Sequence, residues 1–284
     1  MKKIFIITDT DSSLPPQIAE KFNIYQVPIT IHFENENYTT GLDIDDVRVF
    51  ELIDQYKKLP TTSAPPPSAF AKAYQAAFEQ GVDAVVCICV SSKVSSTYNS
   101  AHTACEMFPD KEIHVIDSLN VSMGQGFMVL VAAEAAASGA DSEEVLAVIE
   151  NQRKRLHTYA ALPTLKYLAM SGRVGKMVAG MADTLNIKPI LTIKDGKLEL
   201  LERVRTTKKA YNRAVELARL AMDGKSIERA AVIHVNNLQG AETFRDMLRE
   251  TLPTPEEVLV VEFTPGLSIH AGAGLVGAVL LSGE

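Results

Sequence analysis

The sequence predicts an α/β protein of two domains. The first is a three-layer domain on a parallel sheet, and the second has a mixed or antiparallel sheet. In the first half, short apolar runs alternate with helical segments, and residues 83–90 form an almost unbroken apolar run typical of a buried central parallel strand. In the second half, Asp195-Gly196 joins two strand-like segments, which is a strong signal for an antiparallel hairpin. We therefore predict domains at residues 1–155 and 156–284.

Length and charge limit the classes of function. A chain of 284 residues with 46% hydrophobic content can bury a large core. The net charge of −7 argues against a nucleic-acid partner, because such proteins usually carry a basic face. An odd count of three cysteines, with a first apolar run too short for an export signal, is typical of a cytoplasmic protein.

The first half has predicted strands at residues 3–8, 24–33, 83–90 and 112–118. Its predicted helices are residues 17–22, 47–57, 69–80, 102–107, 127–137 and 142–156. We expect Ser68 to cap the third of these helices. Residues 127–137 are apolar nearly all round, so this helix should be buried, and it is too short to span a bilayer.

The second half has predicted strands at residues 158–162, 187–193, 197–204, 230–235, 258–263 and 276–281. A helix that ends at Met222 and another at residues 241–250 lie between them. The stretch 264–277 places His270 among small residues, which would let a ligand or another chain approach its imidazole closely.

A hydroxyl-rich loop at residues 91–101 follows the central strand, at the position where open α/β sheets bind ligands. Helix N–H groups and neutral hydroxyls would suit a modest anion such as a carboxylate. The alternative is that these serines only cap a helix. A second polar loop, residues 60–68, carries Thr62 and Ser63 and is stiffened by Pro66 and Pro67.

Acidic side chains in two loops raise the alternative of a metal site, although acids at helix starts are usually caps. These acids are Asp9, Asp11, Asp43, Asp45 and Asp46. His102 and Cys105 have a spacing that metals can use but lack a second pair of ligands. We predict no metal site.

Glycine and arginine motifs suggest phosphate contacts, yet none encodes a nucleotide site. Residues 170–176 lack the first glycine of a P-loop, and Gly124-x-Gly126 lacks the third glycine of a dinucleotide fingerprint. Arg173 lies between glycines and is suited to gripping an oxyanion. Arg205 belongs to the most basic run of the chain, whose alternative role is an ordinary solvated surface.

Seven motifs in this order resemble the DegV family over essentially the whole chain. They are Thr-Asp-x-x-Ser-x-Leu-Pro at residues 8–15, Thr62-Ser63, the loop at residues 91–101, Asp117-Ser118 with Gly124-x-Gly126, Ser171-Gly172-Arg173, Arg203-x-Arg205, and His270-x-Gly-x-Gly274. One departure is Ser96, which stands where the family usually has glycine.

The resemblance implies a protein that holds one long-chain fatty acid in a tunnel between its domains. It would present the carboxylate to a separate ATP-dependent fatty acid kinase, which forms the acyl phosphate. It implies no cofactor beyond the fatty acid, and transient contact with a membrane surface is possible. The carboxylate ligands implied by the motifs are Thr62, Ser63, Ser95, Ser96 and His270, with the choice between the two loop serines left open. Arg173 and Arg205 would contact the phosphate or the kinase.

Two other classes of function stay open at this point. One is a serine-dependent acyl hydrolase or transferase that would use His270, although the chain has no Gly-x-Ser-x-Gly nucleophile elbow. The other is a regulatory sensor that changes partner when it is loaded with lipid.

Overall fold

The structure is a computed structural model and describes residues 2–173 and 187–284. The strands are β1 (Ile4–Asp9), β2 (Tyr25–Val27), β3 (Thr30–Phe33), β4 (Glu36–Thr39), β5 (Thr61–Ser63), β6 (Ala84–Cys89), β7 (Glu112–Asp117), β8 (Leu156–Ala161), β9 (Lys188–Lys194), β10 (Lys197–Val204), β11 (Ile227–His234), β12 (Val258–Glu262) and β13 (Val276–Ser282). The α-helices are α1 (Pro16–Lys21), α2 (Asp46–Tyr56), α3 (Pro67–Glu79), α4 (Thr97–Cys105), α5 (Met123–Ala137), α6 (Ser142–Arg155), α7 (Lys166–Met170), α8 (Thr207–Met222), α9 (Leu238–Thr251) and α10 (Pro265–Ala271). These elements confirm the predicted α/β fold class.

The chain divides into two compact units. The first consists of Met1–Asp43 and Thr62–Lys154, and the second of Ile44–Thr61 and Arg155–Glu284. The prediction made one cut near residue 155 and placed residues 44–61 in the first domain. In the structure α2 packs against α10, so this segment groups with the second half of the chain.

The first unit contains a four-stranded parallel sheet in the order β2-β1-β6-β7. Every residue of β6 is buried, which confirms the central parallel strand read from its apolar run. Helix α5 packs on β1 and β6, and its first eight residues are all buried, as its unbroken apolar character predicts.

The predicted strand at residues 24–33 is wrong in one respect, because it is two strands in two sheets. β2 pairs with β1, whereas β3 lies in a small sheet of order β4-β3-β5. Pro28 stands between them and has no N–H to donate to a ladder, so it is suited to the point where the chain leaves the first sheet.

The predicted cap of α3 is also wrong. Pro66 occupies the N-cap position and Pro67 begins the helix, so Ser68 lies inside the first turn. Proline is well suited to a first helical position, because the N–H that it lacks would have no partner within the helix.

The second unit contains a six-stranded mixed sheet in the order β10-β9-β8-β13-β11-β12. Its one parallel pair among the described strands is β11 with β12. The hairpin at Asp195-Gly196 is confirmed, with φ of 48° and 77° at its two turn residues, as a type I′ turn requires.

Helices α8 and α9 bury apolar faces on this sheet, and the ring centroids of Tyr211 and Phe244 lie 5.4 Å apart in their shared core. Helix α10 was not predicted, because the small residues at 264–277 carry no helical period. Among the residues that the structure describes, no helix is long and apolar enough to cross a bilayer.

Candidate functional site

The carboxyl ends of β1, β6 and β7 lie side by side at one edge of the parallel sheet. From β1 the chain first adds β2 on one side and later adds β6 and β7 on the other, so the order reverses between β1 and β6. Open α/β sheets bind ligands in the crevice at such a reversal. The hydroxyl-rich loop after β6 begins at this point.

Two acidic side chains from the neighbouring strands hold the start of this loop. The Val90 N–H donates to Asp9 Oδ2 at 2.8 Å, and the Ser92 N–H donates to Asp117 Oδ1 at 3.0 Å. Each acid is the last residue of its strand. The loop backbone is therefore fixed from both sides, which fixes where its hydroxyls lie.

Asp9 is fully buried and accepts two further hydrogen bonds, from the Asp11 N–H at 3.0 Å and from Gln125 Nε2 at 3.2 Å. Burial raises the pKa of Asp9 to about 6, although these donors favour the ionised form and oppose the rise. The sequence predicts Asp9 as a cap, a metal alternative or part of a family motif, and does not predict that it holds the loop after β6. Its position at the end of a buried strand is the signal for this role.

The metal alternative gains no support from these contacts, since Asp9 uses both carboxylate oxygens to accept N–H groups. Across residues 2–173 and 187–284, no group of three or more His, Cys, Asp or Glu side chains is arranged to hold a metal ion.

The start of α5 packs closely against the loop after β1. Ser122 N–H donates to Asp11 O at 2.8 Å, and a Cβ added at Gly126 would lie 2.8 Å from Ser12 O. Gly126 therefore permits this approach of helix to loop, a role different from the phosphate contact that its motif suggests.

The predicted loop serines lie in the turn before α4. Ser95 is half-buried, its Oγ lies 2.9 Å from Thr97 Oγ1, and it accepts the Thr97 N–H at 3.3 Å. Ser96 is exposed and makes no side-chain capping bond. Because the two hydroxyls of Ser95 and Thr97 share one hydrogen bond, the accepting hydroxyl still has its own proton to donate. This turn can therefore offer a neutral donor to an anion.

Thr62 and Ser63 lie on β5, the first half-buried and the second exposed. Ser63 Oγ lies 2.8 Å from His32 Nε2, and His32 Nδ1 lies 2.6 Å from Asn37 Oδ1. If Nδ1 of a neutral ring donates to the Asn37 oxygen, Nε2 accepts the Ser63 proton. The Ser63 proton is then already used within the protein, which makes Ser63 a weaker donor for a carboxylate.

His270 and Arg173 belong to the second unit and influence each other. Burial lowers the pKa of His270 to about 3, and the positive charge of Arg173 lowers it further. At neutral pH the imidazole is uncharged, and a neutral imidazole carries one N–H donor. Arg205 is exposed in the turn between β10 and α8.

The structure thus brings together three pairs of predicted site residues: Thr62 with Ser63, Ser95 with Ser96, and Arg173 with His270. The prediction that all of them meet at one ligand stays a prediction. Residues 174–176 of the segment compared with a P-loop lie outside the described residues.

Comparison with known proteins identifies the relatives of this chain. The DegV family, described as "Uncharacterised protein, DegV family", matches residues 3–283. A DegV domain-containing protein of Halalkalibacterium halodurans is 33% identical over 277 residues, covering 98% of both chains.

Solved structures of the same family share the fold. The chain matches a Thermus thermophilus DegV family protein, described as binding fatty acid, with a TM-score of 0.92 and 32% identity over 99% of both chains. It matches DegV of Bacillus subtilis, described as a fatty acid binding protein, with a TM-score of 0.89 and 28% identity over 100% of both chains.

Proposed function

Because the chain belongs to the DegV family, we propose that it binds one long-chain fatty acid and presents the carboxylate to a separate ATP-dependent fatty acid kinase. The observation that carries the proposal is the full-length likeness to two structures described as fatty-acid-binding. The proposal that a kinase receives the carboxylate rests on the motif resemblance alone.

The chemistry of the loops supports a carboxylate as the group that is recognised. Neutral hydroxyls of Thr62 and of the Ser95 turn would donate to it, and the uncharged imidazole of His270 would add an N–H. A hydrogen bond to a charged group contributes about 1.5–3 kcal/mol. Neutral donors suit a group that must later be released as a mixed anhydride with phosphate, because they hold it without a permanent counter-charge.

The acyl chain would supply most of the affinity. Burial of one methylene contributes about 0.8 kcal/mol, so a long tail outweighs the head-group contacts. Phe127, Met128 and Leu130 on α5 are the candidate lining residues, and all three are buried. Chain length and unsaturation would then be selected by the shape of the apolar site.

The first prediction concerns the bound lipid and its head group. Protein purified from bacterial cells should carry a long-chain fatty acid, detected by native mass spectrometry and identified after extraction. Ser95→Ala should weaken binding of that fatty acid by about tenfold to a hundredfold, the equivalent of one charge-assisted hydrogen bond. Binding of its methyl ester, which has no carboxylate, should change less.

Ser138→Ala is the matched control, because Ser138 is exposed at the end of α5 and its hydroxyl donates to Glu134 O within the same helix. A protein that is empty as purified and indifferent to added fatty acid would contradict the proposal. Ester hydrolysis that stops in Ser95→Ala would instead favour the hydrolase.

The second prediction separates lipid binding from phosphoryl transfer. Arg205→Ala should bind fatty acid with unchanged affinity but lose acyl-phosphate formation with a partner kinase and ATP, since a guanidinium is suited to paired contacts with phosphate or carboxylate groups. Acyl phosphate can be trapped with hydroxylamine and measured as the hydroxamate. Lys197→Ala removes an exposed cation from the other end of β10 and should leave both properties unchanged. Equal loss of binding and transfer in Arg205→Ala would contradict the division of roles.

A further inference from the structure

A buried hydrogen bond joins α10 to α2 in the second unit. Ser268 Oγ lies 2.6 Å from Asp46 Oδ2, with the serine 0% and the acid 2% exposed. Asp46 is in the first turn of α2, and Ser268 precedes His270 by two residues on α10. The helix that carries His270 is therefore tied to α2 through one side-chain pair.

Helix α10 also has a close neighbour besides α2. It packs against α7, and a Cβ added at Gly272 would overlap the ring of Tyr167. Gly272 has φ of 81°, a conformation that glycine adopts without strain. The contact with α7 and the bond between Ser268 and Asp46 together fix the position of α10.

Asp46 is an unusual residue to find in this place. Burial raises its pKa to about 7, the charges of Glu262 and Asp45 raise it further, and only the Ser268 hydroxyl opposes them. Its second oxygen, Oδ1, is buried and has no hydrogen-bond partner among the described residues. Nonpolar packing would suit the folded state better than this acid, so its presence calls for a role other than stability.

We propose that Asp46 is a positioning residue for His270, holding α10 in the place where the imidazole meets a fatty acid carboxylate. This proposal rests on the proposed function. The bond from Ser268 is charge-assisted when Asp46 is ionised and weaker when Asp46 is protonated. Affinity for the carboxylate should therefore rise as Asp46 loses its proton.

Other titratable or charged groups lie near this pair. Those that act on Asp46 or lie on the helices packed with it are Asp45, Arg48, Glu262, His270, Lys166 and Tyr167. Burial places the pKa of His270 well below neutral pH, and the positive charge of Arg173 acts in the same direction. Burial instead raises the pKa of Asp46 to about 7, so a titration around pH 7 covers its change of charge.

The test is a titration with cis-parinaric acid, a fluorescent fatty acid, between about pH 6 and pH 8 at constant ionic strength. We expect the affinity of the unaltered protein to rise by about threefold to tenfold over this range. Asp46→Asn and Ser268→Ala should bind more weakly and lose most of this rise, and the dependence that remains would come from Asp9, whose pKa is about 6. Asp54→Asn, at an exposed position of the same helix, should keep the original profile.

A second measurement reads His270 directly. The ¹⁵N resonances of its imidazole should move with pH in the unaltered protein as Asp46 titrates, and should not do so in Asp46→Asn. Circular dichroism establishes that each variant is folded.

The possible outcomes separate the two proposals. If the unaltered protein does not bind cis-parinaric acid, the proposed function fails. If it binds with a flat pH profile, or if Ser268→Ala and Asp46→Asn both keep its profile, binding stands and the positioning role of Asp46 is overturned. A flat pH profile of the unaltered protein overturns the positioning role even if one variant does not fold.

Discussion

Replacing Asp9 with alanine is expected to lower the free energy of unfolding by about 2–4 kcal/mol, because each buried N–H left without an acceptor costs about 1–3 kcal/mol. The carboxylate accepts N–H groups from Val90, Asp11 and Gln125, and the side chain is fully buried. Alanine would leave the Val90 and Asp11 N–H groups without this acceptor, whereas Gln125 Nε2 keeps its two other acceptors. Urea denaturation followed by circular dichroism at neutral pH measures the loss.

Two variants sharpen this prediction. Asp9→Asn keeps the size of the side chain but replaces one of its two accepting oxygens with an NH₂, so it should cost less than alanine and still be destabilising. Asp54→Ala, at an exposed acid, should change the free energy by less than about 0.5 kcal/mol. A loss below about 1 kcal/mol in Asp9→Ala would mean that the network contributes little. Loss of stability should be accompanied by weaker fatty acid binding, because the Val90 end of the Ser95 loop is released.

Replacing Asp46 with asparagine is expected to change how stability depends on pH. The pKa of Asp46 is about 7 in the folded protein, against an ordinary value of 3.8. Below about pH 4, Asp46 is protonated in both the folded and the unfolded state, so its ionisation does not change the free energy of unfolding. Between pH 4 and pH 7 the folded state keeps a proton that the unfolded state releases, so the free energy of unfolding falls as pH rises.

A difference of about three pKa units corresponds to at most about 4 kcal/mol. The stability of Asp46→Asn relative to the unaltered protein should therefore increase by up to this amount between about pH 4 and pH 8. Denaturant midpoints measured at several pH values give the difference in stability between the two proteins. The titration of Asp9 does not contribute to this difference, because both proteins contain Asp9. Parallel curves for the two proteins would contradict the raised pKa.

The elements that the sequence predicts well are those with a strong local signal. The buried strand β6 and the apolar helix α5 follow from composition alone, and the turn at Asp195-Gly196 follows from two residues that accept positive φ. The division of residues 24–33 and the existence of α10 depend on which neighbours the chain meets. These features are determined by tertiary packing and give little signal in a local stretch of sequence.

In the candidate site, too, some residues can be predicted from a local signal and others cannot. The hydroxyl loops are visible in the sequence because several Ser and Thr residues stand together. The acids that hold the loop are not, since Asp9 and Val90 are 81 positions apart and Asp117 and Ser92 are 25 apart. Only the order of strands in the sheet brings them together.

The grouping of residues 44–61 with the second half has a consequence for synthesis. Asp46 leaves the ribosome 222 residues before Ser268, its hydrogen-bond partner. At a translation rate of about 5–20 residues per second, α2 would wait on the order of 10–40 s for the helix that covers it. A nascent chain of this protein would carry an uncovered amphipathic helix throughout that interval, which makes it a natural client for chaperones that bind at the ribosomal exit.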